Sequence, residues 1–519
     1  MNRIYNKFRR HIAEQVFESV TEPANTAYYV VISKSTAWAN DAAPGTPTNN
    51  EHFADHTFHE EFISGKLIKQ ADISYVIRRV NWISGKVYAQ YDHMTQDMYS
   101  KDFYVITDEH NVYKCIFNNG GAKSTAKPVG VSTSAFTTND GYTWKYMYTI
   151  TSDEAEKFLT QEHMPVKYLK SDDLSRQWDV QKAAIDGTLD GIVVSNTGSN
   201  YRAYTSGAVA KIVNTTAVQL ALSANNSQDD HYVDSAFYVS SGTGAGKVYV
   251  ITDYDAASRT VTVANNFNPA LTTGGLTPSR YDIAPQVKIT SPDGTGAAAI
   301  VTINKTANNV ANISIIQAGT GYTRANVSII AKGEHGNGAT ARALISPTGG
   351  HGNNAVKELG AEKLMFNVRL QGTEGNTIPQ NVTFRQIALV KDPLFANGTQ
   401  TNASSKSFIQ YSTRLRHSTS GVNKFIVGEF IAGETSGAEG RVIQSNTSTV
   451  VLTATTGTFI GNERLLGNTT SSFSPTIDGN GVLASDMINK SGELLYVQNV
   501  KPVTRDKEQI EDIKIVLDF

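Results

Sequence analysis

The feature that most constrains this chain is a block that repeats itself. Gly191-Ile-Val-Val-Ser-Asn-Thr-Gly-Ser-Asn-Tyr201 is echoed by Asn312-Ile-Ser-Ile-Ile-Gln-Ala-Gly-Thr-Gly-Tyr322. Three further segments, Gly242–Ile251, Gly294–Ile303 and Gly336–Ile345, each open with Gly-x-Gly-Ala and run into a strand-like stretch. Glycine supplies the positive φ of a turn before a strand, so residues 187–346 read as an inserted domain of repeated β-units. A second repeat lies nearer the C-terminus. Phe425-Ile-Val-Gly-Glu-Phe-Ile-Ala-Gly433 matches Phe459-Ile-Gly-Asn-Glu-Arg-Leu-Leu-Gly467, on either side of an expected strand at Thr449–Thr453. The shared pattern, aromatic–Ile–x–x–Glu–x–apolar–x–Gly, predicts paired strands of a small barrel or sandwich over 421–485.

Outside the repeats, short strands dominate. Phe8, Ile12 and Val16 at helical spacing predict a helix over Asn6–Val20, stopped by Pro23. A strand is expected at Tyr28–Ile32, a second helix over Glu51–Gly65, and strands at Tyr75–Val80, Lys86–Tyr91, Phe103–Thr107 and Val112–Phe117. Tyr142–Ile150 alternates aromatic and polar side chains, the pattern of a half-buried strand. Ser152–Leu159 reads as a helix capped by Ser152 with acids in its first turn. Glu493–Val497 and Ile513–Leu517 are expected to pin the end of the chain into a sheet. The fold class is therefore mainly β with a few helices: a layered β-sandwich core plus inserted small β-rich domains. The core would open over 1–186, give way to the insertion at 187–346, continue over 347–420, carry the small module at 421–485 and close with 486–519. A length of 519 residues suits several domains rather than one core.

Charge and cysteine usage exclude several classes. With 46 basic and 48 acidic side chains the net charge is −2, so the basic footprint of a nucleic-acid binder is missing. The single cysteine, Cys115, rules out an intrachain disulfide and a multi-cysteine zinc site, and suggests folding in a reducing cytoplasm. The first ten residues are basic but lack the apolar run of a secretion signal. No stretch approaches the roughly 18 apolar residues of a membrane span, so a soluble chain is expected.

Few residues suggest chemistry. In Glu51–Glu61, His52, His56 and His59 would share one face of a helix, the geometry of a three-histidine metal site. The competing reading, a polar face on a helix packed through Phe53, Phe58 and Phe62, is favoured, because spacing without a supporting motif is weak. Gly242-Thr-Gly-Ala-Gly-Lys247 fails as a phosphate loop: the glycine spacing is wrong, Val248 replaces the required Ser or Thr, and a strand follows. Cys115 reads as a small buried residue. Trp38 or Tyr201 could stack on sugars, but core packing is favoured for each. No catalytic, cofactor or metal residues are assigned, and no cofactor is expected.

A set of longer motifs runs in order through about half of the chain. It comprises Tyr29-Val-Val-Ile-Ser-Lys-Ser-Thr-Ala-Trp38, Asn40–Pro47, Val76–Asp92, Phe103–Cys115, Asn118-Asn-Gly-Gly121 and Asp140-Gly-Tyr-Thr-Trp-Lys-Tyr-Met-Tyr-Thr-Ile150. It resumes with Ser346-Pro-Thr-Gly-Gly-His-Gly352 and Phe384–Pro393, and closes with Gln509–Phe519. Together these resemble the baseplate wedge subunit of T-even-type contractile-tailed phages (myoviruses), enlarged here by the two repeat modules. The resemblance implies a layered β-sandwich with helix-bearing insertions, a homodimer within each wedge, other wedge subunits as partners and no catalytic activity. Peripheral baseplate or tail-fibre proteins are further candidate partners. It implies assembly in the host cytoplasm and a place in the virion's tail baseplate, and makes Trp38, Trp82 and Trp144 core or interface anchors. The first rival reading is a tail-tip receptor or glycan-binding protein working through residues 187–346; the second is a metal-dependent or polysaccharide-cleaving tail enzyme, which zinc at His52, His56 and His59 would support.

Overall fold

In a computed structural model of the chain, residues 5–22, 26–201, 204–331, 336–402, 404–419, 424–506 and 508–519 are described, without the side chains at positions 53, 55 and 56. Among the described residues strands predominate and helices are few, so the chain is mainly β with a few helices. It divides into two compact units. One consists of Met1–Ile77, Ser152–Val166 and Ala361–Phe519, the other of Arg78–Thr151 and Lys167–Gly360.

The first unit holds two sheets. One is ordered Phe408–Gln410, Phe62–Leu67, Tyr28–Ser33, Thr383–Lys391, Glu493–Thr504; the other Ile510–Asp518, Lys363–Gln371, Ile73–Arg78, His163–Val166. Tyr29, Val31, Phe62, Leu67, Ala388 and Val390 form the core of the first. The chain passes from one sheet to the other after Gln371 and again after Thr504, and a fully buried arginine ties these two connections together. Arg505 pairs with Glu511 at 3.1 Å and donates to the carbonyls of Gly372 and Pro379. The helix Asn6–Thr21 stacks Phe17 on Tyr75 at 4.5 Å.

The expected helix over Glu51–Gly65 is corrected. It stops at Thr57, a short 3-10 turn covers His59–Glu61, and Phe62–Leu67 is an interior strand of the five-stranded sheet. Gly65 explains the change: a Cβ there would press on Val31 and Ile409 at 3.1 and 3.2 Å, so the position suits close strand approach. Tertiary pairing has overridden local helical spacing. The expected strand Lys86–Tyr91 is also absent as a strand. Lys86 makes one bridge to Ser124, and the amide of Tyr88 donates to the Tyr142 hydroxyl rather than to a ladder.

The first unit also carries the C-terminal module. Its strands are ordered Leu465–Gly467, Phe430–Gly433, Glu439–Ser445, Thr449–Thr456, Thr413–Ser418, Thr476–Leu483. Hydrogen bonds from Leu465 to Pro475 and from Ile477 to Glu463 join the first strand to the last, so the sheet curls back on itself. Thr413–Ser418 lies before residue 421 in sequence yet pairs inside this ring.

In the second unit, a four-stranded sheet ordered Tyr104–Ile106, Asn111–Phe117, Thr143–Thr149, Phe136–Thr137 accompanies a twelve-stranded sheet drawn wholly from Leu189–Ile345. Six strands of the larger sheet close a barrel. Going round, they are Arg280–Thr290, Thr295–Asn304, Asn309–Thr320, Leu189–Ser199, Asn337–Ile345 and Asn326–Ile330, which pairs back to Arg280–Thr290. The two repeated motifs are equivalent strands of its two halves. Each motif's tyrosine seats on a glycine of the other half's Gly-x-Gly turn: a Cβ on Gly336 would collide with the Tyr201 ring, and one on Gly294 with the Tyr322 ring.

The halves differ in one link. Three residues separate Tyr322 from Asn326, whereas the chain after Tyr201 builds a further β-lobe before the strand Arg280–Thr290 brings it back. That lobe has its own core of Val218, Leu220, Phe237, Val239, Tyr254 and Tyr281. The third Gly-x-Gly-Ala segment belongs here, as the turn between Ser235–Ser241 and Val248–Asp255, and is not a barrel copy.

Candidate functional site

Ionisable groups in a fully buried setting are the first place to look for chemistry, and the second unit holds such a cluster. Lys114 lies mid-strand in Asn111–Phe117, every interior residue of which is buried. Opposite it, across the ladder, stands Lys145. The alternation in Tyr142–Ile150 suggested a strand with its polar face in water; instead Lys145 is buried and donates to the Thr133 carbonyl at 2.5 Å. Two cross-strand lysines in a dry interior repel one another, so an acid must face them.

That acid is Glu358, at the end of the helical turn Ala355–Glu358, which Asn354 caps through the amide of Lys357 at 3.0 Å. Its Oε2 lies 2.9 Å from Lys114 Nζ. Its Oε1 accepts two backbone N–H groups, from Gly352 at 2.8 Å and Asn354 at 3.2 Å. The side chains of Lys114 and Glu358 are 0% and 3% exposed, so the pair is sealed.

The glycine turn Thr348–Gly352 brings in the next member. A Cβ at Gly352, where φ is +90°, would strike Val180 at 2.5 Å and Lys145 at 3.0 Å, so only glycine lets the chain pass this close. His351 thereby points inward. Its Nε2 is 2.7 Å from Asp190 Oδ2, and its Nδ1 is 3.7 Å from Glu358 Oε2, with no hydrogen-bond partner. Asp190 lies in Leu189–Ser199, the first barrel strand. The Tyr91 ring covers the site, 3.9 Å from Lys114 Nζ and edge-on to His351 at 5.2 Å.

The electrostatics follow from burial against pairing. Burial pushes the Lys114 ammonium toward its neutral form, and Glu358 opposes it. Burial pushes Lys145 down as well, with Glu358 opposing and Lys114 reinforcing the shift. For Glu358, burial favours the protonated acid, but Lys114 and His351 outweigh it and hold the carboxyl down at about 2. Removing one partner of such a pair strands the other and costs about 3–5 kcal/mol. No sequence motif announced this site. Ser346–Gly352 was visible only as part of a resemblance, and Lys145 sat in what read as a polar alternation.

A second pair of buried acids sits in the C-terminal module, at the Glu of each repeat. Glu429 accepts from the amide of Ile426 at 2.6 Å, the amides of Thr469 and Thr470 at 3.1 and 2.9 Å, and the Thr470 hydroxyl at 2.8 Å. Glu463 does the same with Ile460 at 2.7 Å, Thr435 at 3.2 Å and Ser436 through its amide at 2.9 Å and hydroxyl at 3.0 Å. Each copy's acid thus holds its own turn and the turn after the other copy's last glycine. Burial raises both carboxyls, but the donors win and both lie below the ordinary value. The repeat pattern was legible; this exchange was not, because the partners lie about 30 to 40 residues away.

The remaining candidates scatter. His52 lies exposed on the helix Glu51–Thr57 and His59 is buried in the following 3-10 turn, 4.9 Å from the Phe62 ring. The single helical face proposed for the histidines is therefore not formed, and the side chain of His56 lies outside the described residues. No group of three metal-ligating side chains is found among the described residues. Cys115 is buried, which pushes its thiol up. Trp144 is fully buried and stacks on Tyr142 at 5.5 Å, and Tyr201 is buried in the barrel. Trp38 and Trp82 are half-buried, donating to the Val500 carbonyl and the Ser124 hydroxyl. A shallow hollow of about 410 Å³ lies on the C-terminal module between Phe430, Ala432, Glu439 and Leu466. No described helix is long and apolar enough to cross a membrane. No model of a known protein family matches the chain, and no curated protein matches it.

Proposed function

We propose that this chain is a structural subunit of the baseplate wedge of a contractile phage tail. It would hold wedge proteins together and move with them as the tail is triggered, without catalysing a reaction. One observation supports this reading above others. Strands among the segments whose order resembles the wedge family build the interior: Tyr104, Tyr113, Trp144 and Tyr146 are buried, and Ser346–Gly352 is the turn that feeds His351 to a sealed ion pair. A part that transmits force benefits from such internally satisfied charge, since groups paired inside the fold hold its elements in register. On this reading the chain docks as a homodimer on other wedge subunits, with fibre or peripheral baseplate proteins as further neighbours and no nucleic acid or membrane insertion. It assembles in the host cytoplasm and ends in the virion.

The test is positional. Antibodies raised against the recombinant chain are located by gold labelling on purified contractile-tailed particles. Label at the baseplate periphery is the expected result. Label at fibre tips would favour a receptor- or glycan-binding protein, and particles that never label would remove the virion reading.

A further inference from the structure

The buried cluster has a geometry that simple ion pairing does not require. An ionised carboxylate beside a lysine needs neither two amides on its far oxygen nor a histidine–aspartate pair behind its near one. We propose that Lys114 and Glu358 join to form an intramolecular isopeptide bond, with the loss of one water, making residues 114–358 a covalently closed loop. The inference does not depend on the tail reading and stands or falls separately.

The reacting atoms are already in place. Lys114 Nζ lies 2.9 Å from Glu358 Oε2, one bond from the Cδ it must reach, and burial of both side chains holds the two groups together. One proton of the Lys114 ammonium passes to Oε2 along the existing hydrogen bond, leaving a neutral amine beside a neutral acid. The Nζ lone pair adds to Cδ, and the charge that develops on Oε1 falls where the amides of Gly352 and Asn354 already point, at 2.8 and 3.2 Å. A second proton passes from Nζ to the departing Oε2, and the Cδ–Oε2 bond breaks to release water. The amide keeps one nitrogen-bound hydrogen. His351 is placed to relay that second proton: its Nδ1 is 3.7 Å from Oε2 and has no hydrogen-bond partner, while Nε2 is oriented by Asp190. No oxidant or external reagent is needed.

Two physical facts favour the forward direction. Two opposite charges in a dry interior are replaced by a neutral amide, which removes the burden of keeping them out of water. Burial also pushes Lys114 toward the neutral amine that must attack, although Lys114 and His351 hold Glu358 ionised, so the opening proton transfer to Oε2 runs uphill. The bond would tie the strand Asn111–Phe117 to the turn at Glu358 and close the whole barrel-bearing segment between them.

Intact-mass measurement of the full-length chain tests this directly, followed by tryptic mapping. The expected result is a mass one water below that of the sequence, a joined pair of peptides containing Lys114 and Glu358, and no cleavage after Lys114. A chain that keeps its full mass and is cut after Lys114, even after long incubation in the folded state, would overturn the proposal. A lost water without joined peptides would also overturn it, since it would mark an imide elsewhere. Lys114→Met should keep the full sequence mass whether or not it folds well; a persisting deficit would place the chemistry at another residue. His351→Gln should slow bond formation by roughly a hundredfold, and an unchanged rate would sink the relay role.

Discussion

The barrel of residues 189–345 and the C-terminal module of 413–483 solve one problem with different chemistry. Each is a pair of related halves, and each half must be made to need the other. In the barrel the exchange is steric: Tyr201 and Tyr322 each lie over a glycine of the opposite half. In the C-terminal module it is electrostatic: Glu429 and Glu463 each gather four donors, three of them from the opposite copy. An apolar ring over glycine is indifferent to acid and salt, while a buried carboxylate is held only as long as it stays ionised. The two modules therefore have similar architecture and different vulnerabilities.

The sharpest way to break this contrast is to remove a ring. Tyr322→Ala should cost about 3–5 kcal/mol, seen as a loss of hydrogen-exchange protection across the barrel strands with the C-terminal module unchanged. A cost below about 1 kcal/mol would mean that the barrel halves are held by their ladders alone. Glu463→Gln keeps the shape of its side chain and removes its charge. It should destabilise the C-terminal module by about 1.5–3 kcal/mol in urea unfolding, because charge-assisted hydrogen bonds become ordinary ones and one amide hydrogen faces donors.

Acid should separate the modules without any mutation. Glu429 and Glu463 are depressed in the folded state from an ordinary value of 4.5. Their contribution is therefore complete above that value and is lost as pH falls through the lower folded values. Hydrogen exchange corrected for intrinsic rates should show the strands of 413–483 opening earlier below pH 4.5 than those of the barrel; equal loss would erase the distinction. The smallest effect is expected from Tyr322→Phe. Its hydroxyl accepts the Ala297 amide at 3.2 Å, so losing it should cost about 1 kcal/mol by the same measurement.

Both repeats were readable before any coordinates, since glycine and aromatic positions recur at matching intervals. Which residue of a repeat does what was not readable. Glu429 and Glu463 look like polar positions in a strand until the turns they hold are known to belong to the other copy. The same limit explains Glu51–Gly65, where the helical spacing was real but the Phe62–Leu67 stretch was claimed by neighbours on both sides. Lys145 was hidden for a related reason: alternation assigns polar residues to water, and only the distant Glu358 offsets the burial of both lysines. Local pattern reports the backbone well and remote compensation poorly.

The entry and exit of the barrel have a consequence of another kind. Leu189 and Ile345 face each other as the paired ends of their strands, and Ser346 still donates to Thr188 at 2.9 Å. A segment whose two ends are adjacent can be lost, gained or swapped in one recombination event while the surrounding chain keeps its path. The β-lobe after Tyr201 repeats the arrangement one level down, at a point where the other half manages with three residues. Genes for such chains can trade outer parts at two nested seams, provided that Asp190, just inside the outer seam, is carried across or its role behind His351 is refilled.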